Sequence, residues 1–480
     1  MKLDIRSICE AVNGKAYNVL GFIDFKGVSI DSREELEGKI FIPIKGENHD
    51  GHNFLQIAYD KGAILFSEQE TDLPHIFVKS TKEALKMLSK YYLSLFDIQV
   101  IGITGSVGKT TTKDLTASVL SQKLNTVKTE GNFNNDIGMP LTIFKVTEET
   151  EVLVLEMGMN HSGEIHTLAN IARPNIAIIT NIGEAHIEFL GSKENIKKAK
   201  MEILDFNPET IILNGDDPML QNIEKANYYY LKNVENIQNN GLLGTTATLN
   251  LNEASLKENV TLEEESASNS SNSTDKDKIF KIELNTPGEY MISNALIAAK
   301  VGFLLGLSKE EIQAGIKNFE PSSNRMKIYK FGNSSLINDS YNASPASMKA
   351  VLELLSEQEG EKIAILGDMF ELGEFSEKYH REVGEFAAAK VDALYAIGEL
   401  SKYYINDNFG NHFEAKEDFF ASEQFKKLKN RLAGSKLEDN ESNFDENNTY
   451  LTGEEPVNSV VNVLLKASRG MRFEEIIERL

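Results

Sequence analysis

The sequence predicts an α/β protein of about three domains, and three observations carry that prediction. Short apolar strands alternate with helical segments through two long blocks of the chain. A glycine-rich loop follows one of those strands and opens a helix. The 480 residues also suffice for about three domains of roughly 150 residues, each able to bury its own core.

Residues 1–98 form the first expected domain. The run 39–44 reads as a strand, and Lys45-Gly46-Glu47-Asn48 as the turn after it. Leu85, Leu88 and Tyr92 recur at helical spacing, so a helix over 81–92 closes this domain. The second domain, 99–325, alternates strands at 100–104, 152–156, 176–180 and 211–214 with helices, as βαβ units and a mostly parallel sheet require. The third, 326–480, repeats the pattern with strands at 335–338, 362–366 and 393–397. Two polar stretches, 261–278 and 436–449, carry too little apolar surface to fold by themselves and read as surface insertions.

Composition narrows the function. The formal charge is −23, from 50 Lys and Arg against 73 Asp and Glu. That balance argues against a general nucleic-acid binder or a polybasic membrane-surface protein, both of which need a basic face. The single cysteine, Cys9, excludes an intrachain disulfide framework and a cysteine-built zinc site, and fits a reducing cytoplasm. Residues 1–6 contain no apolar core of signal-peptide type, and no apolar run approaches the ~20 residues that span a bilayer. A soluble cytoplasmic enzyme is the expectation.

The chemistry starts at Gly102-Ile103-Thr104-Gly105-Ser106-Val107-Gly108-Lys109-Thr110-Thr111. Glycines let backbone N–H groups turn toward a polyphosphate, and the following helix start adds a favourable dipole. Lys109 would meet the β- and γ-phosphates and the Thr110 hydroxyl a Mg²⁺. The fit to G-x-x-x-x-G-K-[ST] is offset by one, with Ile103 where the first glycine belongs. No Asn-Lys-x-Asp guanine-reading motif occurs, which disfavours a GTPase.

Further candidates lie at strand ends, where open α/β sheets place their ligands. Glu156 follows the apolar run 152–155 and is either an oxygen ligand for Mg²⁺ or a solvated carboxylate. His186, in Thr180-Asn181-Ile182-Gly183-Glu184-Ala185-His186, is either a ligand or a structural hydrogen-bonding residue. A helix over 192–204 carries Lys193, Lys197, Lys198 and Lys200, and its spacing singles out none of them.

Taken together these segments resemble the Mur ligase family. The resemblance runs from Thr104 to Thr111, with the same loop offset, through Gly131-Asn132-Phe133-Asn134-Asn135-Asp136-Ile137-Gly138, Glu156-Met157-Gly158, Thr180 to His186, Ala199-Lys200-Met201-Glu202 and Asn214-Gly215-Asp216-Asp217. Asp339-Ser340-Tyr341-Asn342-Ala343-Ser344-Pro345 and Leu366-Gly367-Asp368-Met369-Phe370-Glu371-Leu372-Gly373, with His380 and Gly384, are similar to its D-alanyl-D-alanine-adding branch. Asp31-Ser32-Arg33 and Asp50-Gly51-His52 resemble its UDP-sugar-binding part. The chain departs from the pattern at Tyr290 (usually His), Asn324 (Gly), Ser344 (Asn) and Ala467 (Gly).

The resemblance implies a UDP-sugar-binding N-terminal domain, a central ATPase domain and a Rossmann-like C-terminal domain. It implies an ATP- and Mg²⁺-dependent ligase joining D-alanyl-D-alanine to UDP-N-acetylmuramoyl-tripeptide through an acyl phosphate, and a monomer with no nucleic-acid partner. By the same resemblance Gly105, Ser106, Val107, Gly108, Lys109, Thr110, Thr111, Asn294, Arg325 and Asp339 bind ATP. Thr110, Glu156, His186 and Lys200, the last as a carbamate, hold the metal and with Lys109 form the catalytic set. Ser32, Arg33, Asn135, Tyr341 and Asn342 contact the other substrates.

Overall fold

The structure, a computed structural model, describes residues 1–252, 278–322, 325–406, 409–433 and 460–480. The two polar stretches, Lys278 apart, and Asn324 lie outside the described residues. The chain divides into two compact units: residues 1–105, 116–180 and 197–228 in the first, and residues 106–115, 181–196 and 229–480 in the second.

Besides a two-stranded antiparallel pair of Lys2–Asp4 and Phe22–Asp24, the first unit holds two larger sheets. The N-terminal one orders Lys15–Tyr17, His75–Phe77, Ile64–Ser67, Ile40–Phe41 and Val28–Ser29, parallel except for its first pair. The strand expected over 39–44 is only Ile40–Phe41. Pro43 accounts for the early end, since it has no N–H to continue a ladder. The expected turn is present, with the Gly46 N–H donating to the His49 carbonyl at 2.8 Å.

In the second sheet five strands run parallel: Thr210–Asn214, Ile176–Ile179, Gln99–Thr104, Val152–Glu156 and Thr126–Lys128. Every residue of Val152–Glu156 and Ile176–Ile179 is buried. That is the burial a parallel strand covered on both faces demands, and it explains the unbroken apolar runs in the sequence. Helix Thr81–Leu93 is capped by Ser80, whose hydroxyl accepts from the Glu83 N–H. The helix ties the two halves of this unit: the Tyr92 hydroxyl donates to the Val146 carbonyl at 2.7 Å, and Lys90 to Asn170 at 2.7 Å.

The second unit contains a small antiparallel sheet, Val234–Asn239, Thr245–Asn250 and Ile279–Leu284, followed by helices Tyr290–Leu304 and Lys309–Lys317. Its large sheet orders Lys327–Phe331, Ser334–Asn338, Val461–Lys466, Glu361–Gly367, Ala393–Ile397 and Asn411–Phe413. Only the first pair is antiparallel. The strand that ends the chain, Val461–Lys466, is buried throughout and lies between two earlier strands. The loops after Asn338, Gly367 and Lys466 therefore emerge side by side. Ser344 caps helix Pro345–Ser356 through a capping box with Ser347; serine and asparagine are about equal at this position, so the departure from the family's Asn costs little. Among the described residues no helix is long and apolar enough to cross a membrane.

His380 locks one of those loops. Its Nε2 accepts the Met369 N–H at 3.0 Å, and its Nδ1 lies 2.7 Å from the Ser376 carbonyl. Burial drives the imidazole down to about 4, with the Ser376 carbonyl opposing. Above pH ~6.5 neither native nor unfolded His380 is charged; between ~6.5 and 4 the unfolded chain takes up a proton that the native protein does not. Stability should therefore fall as pH drops through that window, by about 3 kcal/mol at full extent. Urea unfolding at pH 7 and pH 5 should show this slope, and His380→Gln should flatten it.

Candidate functional site

The phosphate loop departs from ordinary backbone at two glycines. Gly105 adopts φ +151°, and a Cβ there would lie 1.9 Å from the Thr180 hydroxyl oxygen. Gly108 adopts φ +86°, and its Cβ would meet the Asn294 side-chain oxygen at 3.0 Å. Both positions combine left-handed backbone with a close approach, so glycine is required at each.

From Ser106 onward the loop belongs to the second unit, where residues 181–183 lace it. The Ser106 N–H donates to the Asn181 carbonyl at 3.0 Å. The Asn181 carboxamide both accepts from the Val107 N–H and donates to the Val107 carbonyl, each at 2.9 Å. The Ser106 hydroxyl accepts from the Gly183 N–H at 2.8 Å. Asn294 braces the loop from helix Tyr290–Leu304: its Oδ1 accepts from the Thr112 hydroxyl at 3.0 Å, and its Nδ2 donates to the Tyr290 carbonyl. Because that second bond goes to backbone, tyrosine in place of histidine at 290 leaves it intact. Burial, and secondarily the Asp339 charge, pushes the Tyr290 phenol well above its ordinary range. Lys109 directs its ammonium to the Ser106 carbonyl at 3.3 Å, and Thr110 is buried.

In the first unit, Glu156 ends its strand 3% exposed. One carboxylate oxygen, Oε1, accepts from the Asn134 Nδ2 at 2.9 Å. The other, Oε2, is buried with no hydrogen-bond partner. A buried carboxylate oxygen without a partner is costly, and a hard cation would satisfy it, so the residues fit Mg²⁺ at this position. Among the described residues no three His, Cys, Asp or Glu side chains cluster as a ready-made cage. Mg²⁺ on substrate phosphates needs only one or two protein carboxylates. Lys200, 1% exposed, donates from Nζ to the Gly105 carbonyl at 3.1 Å.

His186 and the C-terminal residues lie in the second unit. His186 Nδ1 is 2.6 Å from Glu371 Oε2; this contact, with the Lys109 charge adding to it, holds the Glu371 carboxyl below its ordinary range against the opposing effect of burial. Arg325 stacks its guanidinium 4.0 Å from the Tyr341 ring centroid, and its Nε is buried without a hydrogen-bond partner. Asp339 accepts the Met326 N–H through Oδ1 and pairs through Oδ2 with the buried Lys466. Lys466 also donates to the Asn342 carbonyl at 3.1 Å.

The expected substrate residues divide. The Asn135 Oδ1 accepts the Ile137 and Gly138 N–H groups, which commits that oxygen to the start of helix Gly138–Ile143. The Asn342 Oδ1 similarly accepts the Ala343 N–H. Arg33 is exposed and forks onto Asp31, whose carboxyl its hydrogen bonds lower to about 2. Lys61 ties the same loop by donating to the Ser32, Arg33 and Glu34 carbonyls. Sequence reasoning overlooked Asn134, Lys61, Glu371 and Lys466. Asn134 and Glu371 stand inside motifs already singled out, but only folding shows that they are the members that meet Glu156 and His186.

A description of the Mur ligase middle domain matches residues 103–302, and one of the Mur ligase glutamate ligase domain matches residues 324–432. The chain is 35% identical to the UDP-N-acetylmuramoyl-tripeptide–D-alanyl-D-alanine ligase of Bacillus subtilis (strain 168), over 100% of this chain and 98% of that one. Identity to the Escherichia coli (strain K12) ligase of the same name is 32%, over 95% and 94%. Among solved structures, MurF from Acinetobacter baumannii superposes with TM-score 0.83 at 25% identity, covering 100% and 99% of the two chains. MurF ligase from Thermotoga maritima in complex with ADP gives 0.76 at 26%, covering 94% and 96%.

Asn134→Ala should weaken binding of Mn²⁺, used as a paramagnetic probe, about 10- to 100-fold in an EPR titration, the usual cost of removing a group that orients a metal ligand. Gly158→Ala should do the same, because its Cβ would sit 2.9 Å from the Asn134 carboxamide. Unchanged Mn²⁺ affinity in both variants would refute the role given to Asn134. In urea unfolding Gly105→Ala should cost more than Gly131→Ala, since a Cβ at Gly131 meets nothing within 4 Å and only backbone strain of ~1 kcal/mol applies there.

Proposed function

The chain belongs to the Mur ligase family, and from that membership we propose which of its residues perform the reaction. It is an ATP-dependent ligase that joins D-alanyl-D-alanine to UDP-N-acetylmuramoyl-tripeptide. The observation that carries the assignment is similarity over the full length to ligases of that one specificity, rather than over the nucleotide-binding part alone.

In the proposed mechanism the terminal carboxylate of the tripeptide attacks the γ-phosphorus of ATP, giving an acyl phosphate and ADP. The amine of D-alanyl-D-alanine then attacks that carbonyl; it loses a proton, phosphate departs and the amide remains. The obstacle is charge, because a carboxylate must approach a triphosphate. The Lys109 ammonium and the loop N–H groups oppose that repulsion, and groups already in place for the developing charge are the main catalytic means in phosphoryl transfer. Thr110 and Glu156, with His186 and a carbamylated Lys200, would hold Mg²⁺. That ion would neutralise phosphate charge and orient the oxygens.

Asn294 keeps the loop in shape, while Arg325 and Asp339 face the nucleotide. The orphaned Arg325 Nε is a donor suited to a phosphate or carboxylate oxygen. Ser32 and Arg33 receive the UDP-sugar, and Asn135, Tyr341 and Asn342 the peptide ends. Residues 1–98, 99–325 and 326–480 would act as UDP-sugar, ATP and C-terminal modules of a cytoplasmic monomer.

Phosphate release should require ATP, UDP-N-acetylmuramoyl-tripeptide and D-alanyl-D-alanine together, and single amino acids should not replace the dipeptide. Lys109→Ala and Lys200→Ala should each reduce turnover on the order of 10²-fold or more. Full turnover in Lys200→Ala would eliminate the carbamate role, and release independent of the dipeptide would eliminate the assigned specificity.

A further inference from the structure

Within Leu366-Gly367-Asp368-Met369-Phe370-Glu371-Leu372-Gly373, Glu371 is the one carboxylate that reaches a proposed catalytic residue. We propose that Glu371 is a positioning residue for ligation, fixing the orientation and the tautomer of the His186 ring. The proposal rests on the functional reading in which His186 faces the reacting groups.

Three observations carry it. His186 Nδ1 lies 2.6 Å from Glu371 Oε2, with the His186 side chain 16% and the Glu371 side chain 41% exposed. The contact is at ion-pair distance, and a proton on Nδ1 is what makes it attractive; with the ring neutral this leaves Nε2 as the atom able to ligate or accept. A carboxylate behind a histidine is a recurrent way of fixing which nitrogen faces a metal or reacting group.

Backbone geometry supplies the second observation. His186 and Glu371 both occupy left-handed conformations, φ +66° and +64°. Each costs a non-glycine residue of order 1–3 kcal/mol and persists only where its surroundings demand it. Here the two strained residues meet each other. The third observation is the rigidity of the contact. The Glu188 N–H donates to the Glu371 carbonyl at 3.2 Å, and Gly373 packs so tightly on Glu188 that a Cβ would lie 3.0 Å from its side chain. The backbone that carries Glu371 is therefore fixed where its carboxylate meets His186.

Glu371→Gly is the decisive variant, because glycine accepts φ +64° better than glutamate. A purely structural role predicts unchanged or improved function. A positioning role predicts a melting temperature unchanged or raised with kcat lowered about 10- to 100-fold. KM for ATP, UDP-sugar tripeptide and dipeptide should stay within about threefold, since no uniform binding contact is lost. Glu371→Gln keeps an acceptor oxygen and should recover most of kcat. Independently of turnover, NMR of ¹⁵N-histidine-labelled protein, with the His186 signal identified from His186→Gln, should show the proton on Nδ1 in wild type and Glu371→Gln. In Glu371→Gly the tautomer should redistribute. Wild-type kcat in Glu371→Gly, or an unaltered His186 tautomer in it, would overturn the proposal. A wild-type enzyme without dipeptide-dependent ligation would instead overturn the functional reading, while the tautomer measurement would still decide the role of Glu371.

Discussion

The close approach of Gly105 to Thr180 is the constraint on which the site depends. Strands Gln99–Thr104 and Ile176–Ile179 are parallel neighbours in register, so their C-terminal ends arrive together and their next residues compete for one space. A Cβ at 105 would lie 1.9 Å from the Thr180 hydroxyl. Its absence lets the backbone turn out of the sheet at φ +151° and begin the phosphate loop. The residues after Thr180 are then in position to lace those after Gly105: the Asn181 carboxamide meets Val107 on both its N–H and its carbonyl. Contacts within the protein thus fix the shape of the loop, and dipoles held in place are what lower a barrier without reorganising.

Polar groups with one side engaged and the other left open recur among the candidate site residues. Asn134 engages one Glu156 oxygen and leaves the other buried and unpartnered. Arg325 stacks on Tyr341 and keeps an unpartnered Nε. An orphaned buried polar atom is a stability cost; such atoms occur elsewhere in the chain as well, at His75 and Thr116 for example, and those of Glu156 and Arg325 fall at residues the ligase reaction would use. The paired carboxylates Asp31 and Asp339 show the complementary pattern, in which an acid holds a base or a loop in place. A chain of net charge −23 can therefore serve anionic substrates: the sign of the groups beside each phosphate matters, not the total.

Legibility in the sequence tracked the range of the interactions. The central strands were readable because burial on both faces forces continuous apolar runs, and their observed limits fall within a residue or so of expectation. The strand at 39–44 was overestimated because an apolar stretch was read across Pro43, which cannot donate to a ladder. The helix expected over 192–204 ends instead at Met201, with a tighter turn at Glu202–Leu204. The three-stranded antiparallel sheet went unread: its first strand, Val234–Asn239, is mostly exposed and polar, and its register against Thr245–Asn250 shifts partway along.

By itself the sequence determined the α/β class and a nucleotide-binding loop, which rest on local patterns: alternation of apolar runs, glycines where backbone must turn, and a lysine and threonine at a helix start. The ligase chemistry came from the resemblance of whole motifs to the Mur ligase family, not from those patterns. Only the tertiary structure decided which oxygen of Glu156 is left open, that Asn134 rather than Asn135 holds the other, and that Lys466 secures Asp339. It also decided that Glu371 meets His186. Those are contacts between side chains remote in sequence, set by sheet order and loop conformation. No local pattern encodes them, because neither partner's environment exists until the strands have been placed side by side.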